Sequence, residues 1–238
     1  MLKETIKQIL SLLHLDVTKN MKYDRQTRTI IKKIVHKNSN CIDVGCHKGE
    51  ILDLLIKYAP NGRHYGFEPI PAFYENLKEM YEGRAEILPF ALSDKKGKAS
   101  FNFVKNAPAY SGLKQRKYDV DNPEIEKVEV KLEKLDNVIP EEREIRLIKI
   151  DVEGAELSVL RGGRETICKN KPFIIFEFGL GASDFYQTTP QQIHGFFEDC
   201  GLKISLLKSW LKQKAPLSLP ELENIYKNKA EYYFIAHP

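Results

Sequence analysis

Acidic side chains and glycines recur at the ends of short apolar runs in this chain of 238 residues. The first run ends in Asp43-Val44-Gly45, and Gly49 follows four residues later. Glycines let the backbone turn sharply and approach a ligand closely, and the next helix offers free N–H groups there. The GxGxxG turn of a dinucleotide site is absent. Asp43 would repel a pyrophosphate and attract a cation, so we predict that Asp43, Gly45, His47 and Gly49 bind a cationic ligand; a plain tight turn is the alternative.

Two further runs end in residues suited to a nucleoside. Phe67-Glu68-Pro69 places a carboxylate about twenty residues beyond the glycine turn, where it can accept hydrogen bonds from both ribose hydroxyls. Pro69 then ends the strand. In Ala91-Leu92-Ser93-Asp94, the side chains of Ser93 and Asp94 could reach an adenine edge, although both residues are also common in turns. S-adenosylmethionine combines these parts, since it carries a nucleoside, a sulfonium and an ammonium group.

Three carboxylates crowd the block that runs from Lys149 to Glu156. Glu153 and Glu156 lie near a predicted helix N-terminus, where negative charge is favourable by about 0.3–1 kcal/mol. Asp151 lies at the tip of the preceding strand and faces the predicted ligand. Crowding of like charges raises the pKa of at least one carboxyl, which suits a general base. We therefore predict that Asp151 contacts both the cofactor and the reacting group.

A further glutamate ends the apolar run Phe173–Phe178. Glu177 lies between Phe176 and Phe178, and a buried charge at such a place needs a partner or a task. We predict that Asp151, Glu153 and Glu177 are the catalytic residues and that no metal is bound. Two alternatives stay open: Glu177 is a salt-bridged structural residue, or the three carboxylates bind Mg²⁺, which prefers oxygen ligands.

Alternation of strand-like and helix-like stretches positions these residues. It implies βαβ units and a mainly parallel sheet with helices on both faces, so that the ligand lies beyond the carboxyl ends of the strands. The predicted strands are Cys41–Val44, His64–Phe67, Glu86–Leu88, Leu147–Ile150, Phe173–Phe178, Lys203–Leu207 and Tyr232–Ala236, the last two as a hairpin-type pair. Ala99–Val104 and Val128–Leu132 are predicted as extra strands around a polar loop, Lys105–Pro123, which is either a lid or a flexible insertion.

Length and composition predict one globular domain. Hydrophobic residues make up 42% and charged residues 29% of the chain, and the net charge is +4. We predict a helical extension over residues 1–22, a single domain over 23–238 and no transmembrane segment. No basic stripe suggests nucleic acid. The apolar residues Leu2, Ile6, Ile9, Leu10 and Leu13 predict a helix in Met1–Leu15 that packs on the domain, forms a homodimer or contacts a membrane surface.

The cysteines carry information on the compartment. Cys41, Cys46, Cys168 and Cys200 form no CxxC pair. We therefore predict reduced core cysteines and a cytoplasmic location, and disulfides or a zinc site are the alternative.

The segments quoted above, together with Tyr23-Asp24 and Thr27 further upstream, resemble the FkbM family of class I methyltransferases over roughly Tyr23 to Glu177. The Lys149–Glu156 block is the most specific part of the resemblance. The resemblance implies a Rossmann-like α/β fold with a seven-stranded, mainly parallel sheet and a reversed terminal strand. It also implies S-adenosylmethionine as the methyl donor and a hydroxyl on a sugar or small molecule as the acceptor.

Three other classes of protein compete with this interpretation. A nicotinamide dehydrogenase would need the GxGxxG turn. A methyltransferase acting on a base nitrogen of a nucleic acid would show Asp/Asn-Pro-Pro-aromatic where this chain has Asp-Val-Glu-Gly after Ile150. A non-catalytic binding or scaffold protein of the same fold is the third alternative, and binding of the cofactor is the property that tests it.

Overall fold

The computed structural model describes residues 18–118 and 120–238. The helices are α1 (Lys19–Ile34), α2 (Glu50–Tyr58), α3 (Pro71–Met80), α4 (Leu135–Val138), α5 (Glu156–Gly162), α6 (Arg164–Asn170), α7 (Pro190–Asp199), α8 (Leu207–Leu211) and α9 (Leu219–Lys227). The strands are β1 (Cys41–Val44), β2 (His64–Phe67), β3 (Glu86–Leu88), β4 (Phe90–Leu92), β5 (Gly97–Val104), β6 (Ile125–Glu133), β7 (Leu147–Ile150), β8 (Phe173–Glu177), β9 (Lys203–Leu206) and β10 (Tyr233–His237).

Seven strands form the main sheet, in the order β3-β2-β1-β7-β8-β10-β9. β10 is antiparallel to both of its neighbours, and the other strand pairs are parallel, which confirms the predicted α/β fold with a reversed terminal strand. β9 and β10 pair as predicted, but α8 and α9 lie between them in the chain. The order of the strands reverses between β1 and β7, and a crevice at such a point is where open α/β sheets bind ligands.

Helices cover both faces of this sheet. Ile42, Val44 and Ile148 point to the face that is covered by α5, α6 and α7, while Cys41 and Leu147 point to the face covered by α1, α2 and α3. All four residues of β1 and of β7 are buried. A strand that is buried on both faces has no polar face to show, which explains the nearly continuous apolar runs in the sequence.

A second sheet of three strands, in the order β4-β6-β5, carries the polar loop. β5 and β6 pair antiparallel over eight residues and are longer than the strands predicted there. The sheet packs through a small apolar cluster that contains Ile70, Phe101 and Leu132. The loop after β5 is therefore anchored by a hairpin and held next to the carboxyl ends of β1 and β2.

The N-terminal segment lies partly outside the described residues. The helix predicted in Met1–Leu15 and the homodimer proposed through it belong to that part. The side chain of Thr18 caps α1 by accepting a hydrogen bond from the backbone N–H of Met21. α1 runs across the predicted boundary between residues 22 and 23, and the division of the chain there stays a prediction. Within residues 18–118 and 120–238, no helix is long and apolar enough to cross a membrane.

The prediction that all four cysteines are reduced is wrong for one pair. Cys168 in α6 and Cys200 at the end of α7 form a disulfide, with Cα atoms 4.4 Å apart. The two residues are separated by 32 positions, and the packing of the two helices brings them together. Cys41 and Cys46 are free and buried, as predicted. Disulfides are rare in a reducing cytosol, and the predicted cytoplasmic location stays a prediction.

Candidate active site

A cavity of about 240 Å³ lies at the carboxyl ends of β1, β2 and β7, at the point where the strand order reverses. Its polar lining consists of Asp24, Thr27, His47, Lys48, Glu50, Glu68, Ser111, Lys149, Asp151, Glu153 and Tyr233, together with the backbone of Gly45. Five of these side chains are carboxylates and two are ammonium groups. The lining is therefore acidic overall and suits a cationic ligand better than a pyrophosphate.

The turn after β1 brings its backbone to the cavity through two glycines with left-handed conformations. Gly45 has a φ of +79°, and a Cβ atom there would lie 2.1 Å from the carbonyl oxygen of Asp151. Gly49 has a φ of +82° and starts α2, while the hydroxyl of Tyr81 donates a hydrogen bond to its carbonyl oxygen. Gly45 lets β1 and β7 lie side by side at the mouth of the crevice, whereas Gly49 shapes the turn and does not line the cavity.

Replacement of Gly45 by alanine is expected to lower the free energy of unfolding by about 2–3 kcal/mol, because the methyl group clashes with the backbone and the conformation strains an L residue. Gly83→Ala is the matched control, since Gly83 has a φ of +69° but no atom of residues 18–118 and 120–238 within 4 Å of its Cβ position. Urea denaturation of both variants separates the clash from the backbone strain. Equal losses in the two variants would contradict the close approach of Gly45 to β7.

Glu68 is buried at the end of β2 and receives two backbone hydrogen bonds. Its Oε2 accepts from the N–H of His47 and its Oε1 accepts from the N–H of Ile70, both at 2.9 Å. Each oxygen keeps a lone pair for a further donor. Burial raises the pKa of Glu68 to about 7, although the two backbone hydrogen bonds act in the opposite direction. The structure thus presents a fixed carboxylate to the cavity, as the predicted ribose contact requires.

His47 lies between the glycines of the turn, with a φ of 51°. Its Nε2 atom is buried and has no hydrogen-bond partner among the described residues, and its ring packs edge-on against Phe73. Burial, and then the charge of Lys48, lowers the pKa of His47, so the ring is neutral near pH 7. A buried ring nitrogen beside a cavity is available to a bound molecule.

Lys149 links two carboxylates below the cavity. Its ammonium lies 3.7 Å from Oδ1 of Asp43 and 3.4 Å from Oδ2 of Asp151, and it donates to the carbonyl oxygen of Gly45. Burial raises the pKa of Asp43 to about 6, while Lys149 lowers it. Burial alone would lower the pKa of Lys149, but Asp151 and Asp43 outweigh it and raise that pKa. Asp43 does not line the cavity and acts on it through Lys149.

Asp151 reaches the cavity at the end of β7. The hydroxyl of Tyr233, which also lines the cavity, donates to its Oδ2 atom at 2.5 Å. Burial alone would raise the pKa of Asp151, but Lys149 and Tyr233 outweigh it and hold that pKa below its usual range. Burial, and then Asp151, raises the pKa of Glu177 well above its usual range. The raised pKa that the crowding of carboxylates predicts therefore belongs to Glu177, whereas Asp151 keeps its charge at neutral pH.

Glu153 lines the cavity and forms an ion pair with Arg116, which the sequence did not single out. Glu156 has a different role, because its Oε1 atom accepts hydrogen bonds from the N–H groups of Val152 and Gly154. Burial raises the pKa of Glu156 to about 7. Glu156 thus stabilises the turn after β7, and Glu153 connects that turn to the polar loop.

The remaining predicted ligands lie beside the cavity. Ser93 and Asp94 follow β4 and contact each other at 3.2 Å, but neither lines the cavity. Glu177 also lies outside the lining, although it contacts the ligand side through Asp151. Pro69 lines the cavity next to Glu68. The polar loop contributes Pro108, Ala109, Ser111 and Leu113 to the lining of the cavity. The loop therefore forms one wall of the cavity, which favours the lid over a flexible insertion.

The carboxylates of Asp151, Glu153 and Glu177 form one cluster, with oxygens within 4.8 Å of one another. The protein itself supplies cations to the cluster, since Lys149 pairs with Asp151 and Arg116 pairs with Glu153. A metal ion at this cluster would compete with both ion pairs, and the absence of a bound metal stays a prediction.

The fold is that of the class I S-adenosylmethionine-dependent methyltransferases, with an antiparallel strand inserted next to the edge of a seven-stranded sheet and an acidic cavity at the switch point. The chain belongs to the FkbM methyltransferase family, because the family model described as "Methyltransferase FkbM domain" matches residues 43–204. The resemblance seen in the sequence is thereby confirmed.

Three known proteins illustrate the relationship. The 2-O-methyltransferase NoeI of Sinorhizobium fredii is 26% identical over 179 residues, which cover 68% of this chain and 70% of that protein. The crystal structure of methyltransferase FkbM from Methylobacillus flagellatus matches 85% of this chain with a TM-score of 0.52 and 17% identity. This chain spans only 44% of that protein. Aeropyrum pernix fibrillarin, solved with S-adenosyl-L-methionine bound, matches 90% of this chain and 74% of that chain with a TM-score of 0.46 and 13% identity.

Proposed function

We propose that this methyltransferase uses S-adenosylmethionine to methylate a hydroxyl oxygen of a sugar or small molecule. The observation that carries the proposal is the acidic cavity at the switch point, which has Glu68 at the end of β2 and ionised Asp151 at the end of β7. Membership of the FkbM family and the similarity to a 2-O-methyltransferase support it.

The cavity residues fit the parts of the donor. Glu68 has a free lone pair on each oxygen for the ribose hydroxyls, and the buried Nε2 of His47 lacks a protein partner among the described residues. Five carboxylates against two ammonium groups favour a cation. When bound, S-adenosylmethionine supplies an electrophilic methyl carbon on a positively charged sulfur, which is an excellent leaving group.

The protein has to hold the acceptor hydroxyl in line and manage its proton. Correct orientation contributes about 7–11 kcal/mol to lowering the barrier. With the donor bound, attack of the hydroxyl oxygen on the methyl carbon would break the bond from that carbon to sulfur and release the thioether. The carboxylate of Asp151 would accept the hydroxyl proton or orient the hydroxyl for attack. Two residues fix the position of the Asp151 carboxylate: Lys149, which lies below the cavity, and Tyr233, which belongs to β10. Glu153 is assigned to the acceptor side as the anchor of Arg116, whereas Glu177, which lies outside the cavity lining, acts through Asp151.

Thermal unfolding with excess S-adenosylmethionine tests the proposal first. Ligand at a hundred times its dissociation constant stabilises a protein by about 2.7 kcal/mol, which raises Tm by about 5–11 °C for a chain of this size. NAD at the same concentration is the control, and we expect no shift with it. Absence of a shift with millimolar S-adenosylmethionine would contradict the proposed function and favour a scaffold role for the fold.

A further inference from the structure

The polar loop is docked against the turns that follow β7 and β8. The backbone N–H of Lys114 donates to the hydroxyl of Tyr186 and its ammonium donates to the carbonyl oxygen of Phe185, both at 2.9 Å. The loop also forms an isolated antiparallel bridge between Asn102 and Gly112. The segment 108–116 is thereby held at Gly112 by the hairpin strand β5 and at Lys114 by the turn after β8.

Arg116 is the residue that joins this loop to the cavity. Its guanidinium pairs with Glu153, donates to the carbonyl oxygen of Gly181 at 3.3 Å and lies 5.2 Å above the ring of Tyr110. The side chains of Arg116 and Glu153 are only 9% and 17% exposed. A charge pair that is shielded from solvent in this way is screened less by salt than a surface pair.

The backbone conformation of Glu153 helps to direct its side chain to Arg116. Glu153 has a φ of 59°, a left-handed conformation that glycine and asparagine adopt more readily than glutamate. A residue in this conformation persists where its surroundings over-determine it. Here the left-handed turn after β7 directs the Glu153 carboxylate to Arg116, and Gly112 of the loop lies beside it, with a Cβ position 3.5 Å from that of Glu153.

We propose that Arg116 and Glu153 are positioning residues whose ion pair holds the segment 108–116 as a wall of the cavity and controls ligand exchange. Pro108, Ala109, Ser111 and Leu113 of this segment line the cavity, so release of the pair opens the cavity on that side. The part of this inference that concerns ligand exchange rests on the proposed use of S-adenosylmethionine. The part that concerns the loop does not.

Hydrogen exchange of the Lys114 amide tests the loop without any ligand. This amide is protected by its bond to Tyr186, so we expect Glu153→Gln and Arg116→Gln each to raise its exchange rate about tenfold, as loss of one charge-assisted hydrogen bond allows. The double variant should exchange no faster than Arg116→Gln, because the ion pair is already lost in that variant together with the other contacts of Arg116. Glu129→Gln is the matched control, since Glu129 pairs with Lys98 on the exposed hairpin. Exchange at the wild-type rate in both single variants, or additive effects in the double variant, would overturn the inference.

Release of tritiated S-adenosylmethionine into excess unlabelled ligand tests the second part. We expect both single variants to release it about fivefold faster or more, and the Glu129→Gln control to match the wild type. Faster hydrogen exchange of the Lys114 amide, together with an unchanged rate of S-adenosylmethionine release, would show that the ion pair holds the loop but does not control ligand exchange. If the wild-type protein binds no S-adenosylmethionine, the proposed function fails, and the exchange of the Lys114 amide still decides whether the pair holds the loop.

Discussion

Replacement of Asp151 by asparagine is expected to lower kcat about 10²–10⁴-fold, the range that a positioned base contributes to catalysis. An alcohol is a weak nucleophile, and asparagine can neither take its proton nor attract it with a negative charge. The substitution also removes one of the two carboxylates that pair with Lys149 and replaces the acceptor of the short hydrogen bond from Tyr233. The loss is therefore expected mainly in the chemical step.

The measurement is single-turnover transfer of a labelled methyl group to a hydroxyl acceptor that the wild-type protein methylates. Asp121→Asn is the matched control, because it makes the same change at an exposed loop position. Binding of S-adenosylmethionine is measured on the same preparations, so that loss of cofactor is not mistaken for loss of chemistry. An unchanged kcat with intact binding would disprove the role of Asp151. Loss of wild-type activity in excess chelator would instead support the metal alternative.

Much of the fold follows from local pattern. Strands such as Leu147–Ile150 are apolar on both faces, and a parallel sheet brings all their carboxyl ends to one edge. Glu68, Asp151 and Gly45 were identified because each directly follows such a strand. Short segments place these residues once they are combined with the rule that ligands bind where the strand order reverses.

Contacts between distant segments are the part that the sequence did not predict. Tyr233 reaches Asp151 because β10 inserts next to β8, and Arg116 reaches Glu153 because a hairpin carries the loop to the turn after β7. Tyrosines are common in strands and arginines are common in polar loops, so the local sequence does not indicate that either residue contacts a distant carboxylate. The disulfide between Cys168 and Cys200 was missed for the same reason.

Charge states were also beyond the sequence. The crowding of carboxylates after β7 predicted that at least one pKa is raised, but not which one. The structure separates them: Asp151 lies next to Lys149, whereas Glu177 is half-buried and has Asp151 beside it. Environment, and not spacing, thus decides which carboxyl is ionised and able to act on a hydroxyl.

Replacement of Glu68 by alanine is expected to weaken binding of S-adenosylmethionine about a hundredfold, because two hydrogen bonds from ribose to a carboxylate are lost. The N–H groups of His47 and Ile70 lose their acceptors in the same variant, so the glycine turn is loosened as well. Calorimetric titration measures the affinity. Glu75→Ala is the matched control, since Glu75 is exposed on α3 close along the chain.

The pH dependence of that affinity gives the role of Glu68 a second test. Burial raises the pKa of Glu68 to about 7, so the carboxyl is increasingly protonated below that pH and becomes a weaker acceptor. We therefore expect the affinity of the wild-type protein for S-adenosylmethionine to fall as the pH decreases from 8 to 6, and that of Glu68→Ala to change less. An affinity within twofold of the wild type in Glu68→Ala, together with parallel pH profiles, would remove Glu68 from the ribose site. The ligand would then be held through the glycine turn and the carboxylates after β7, and the acidic lining of the cavity would act by its charge alone.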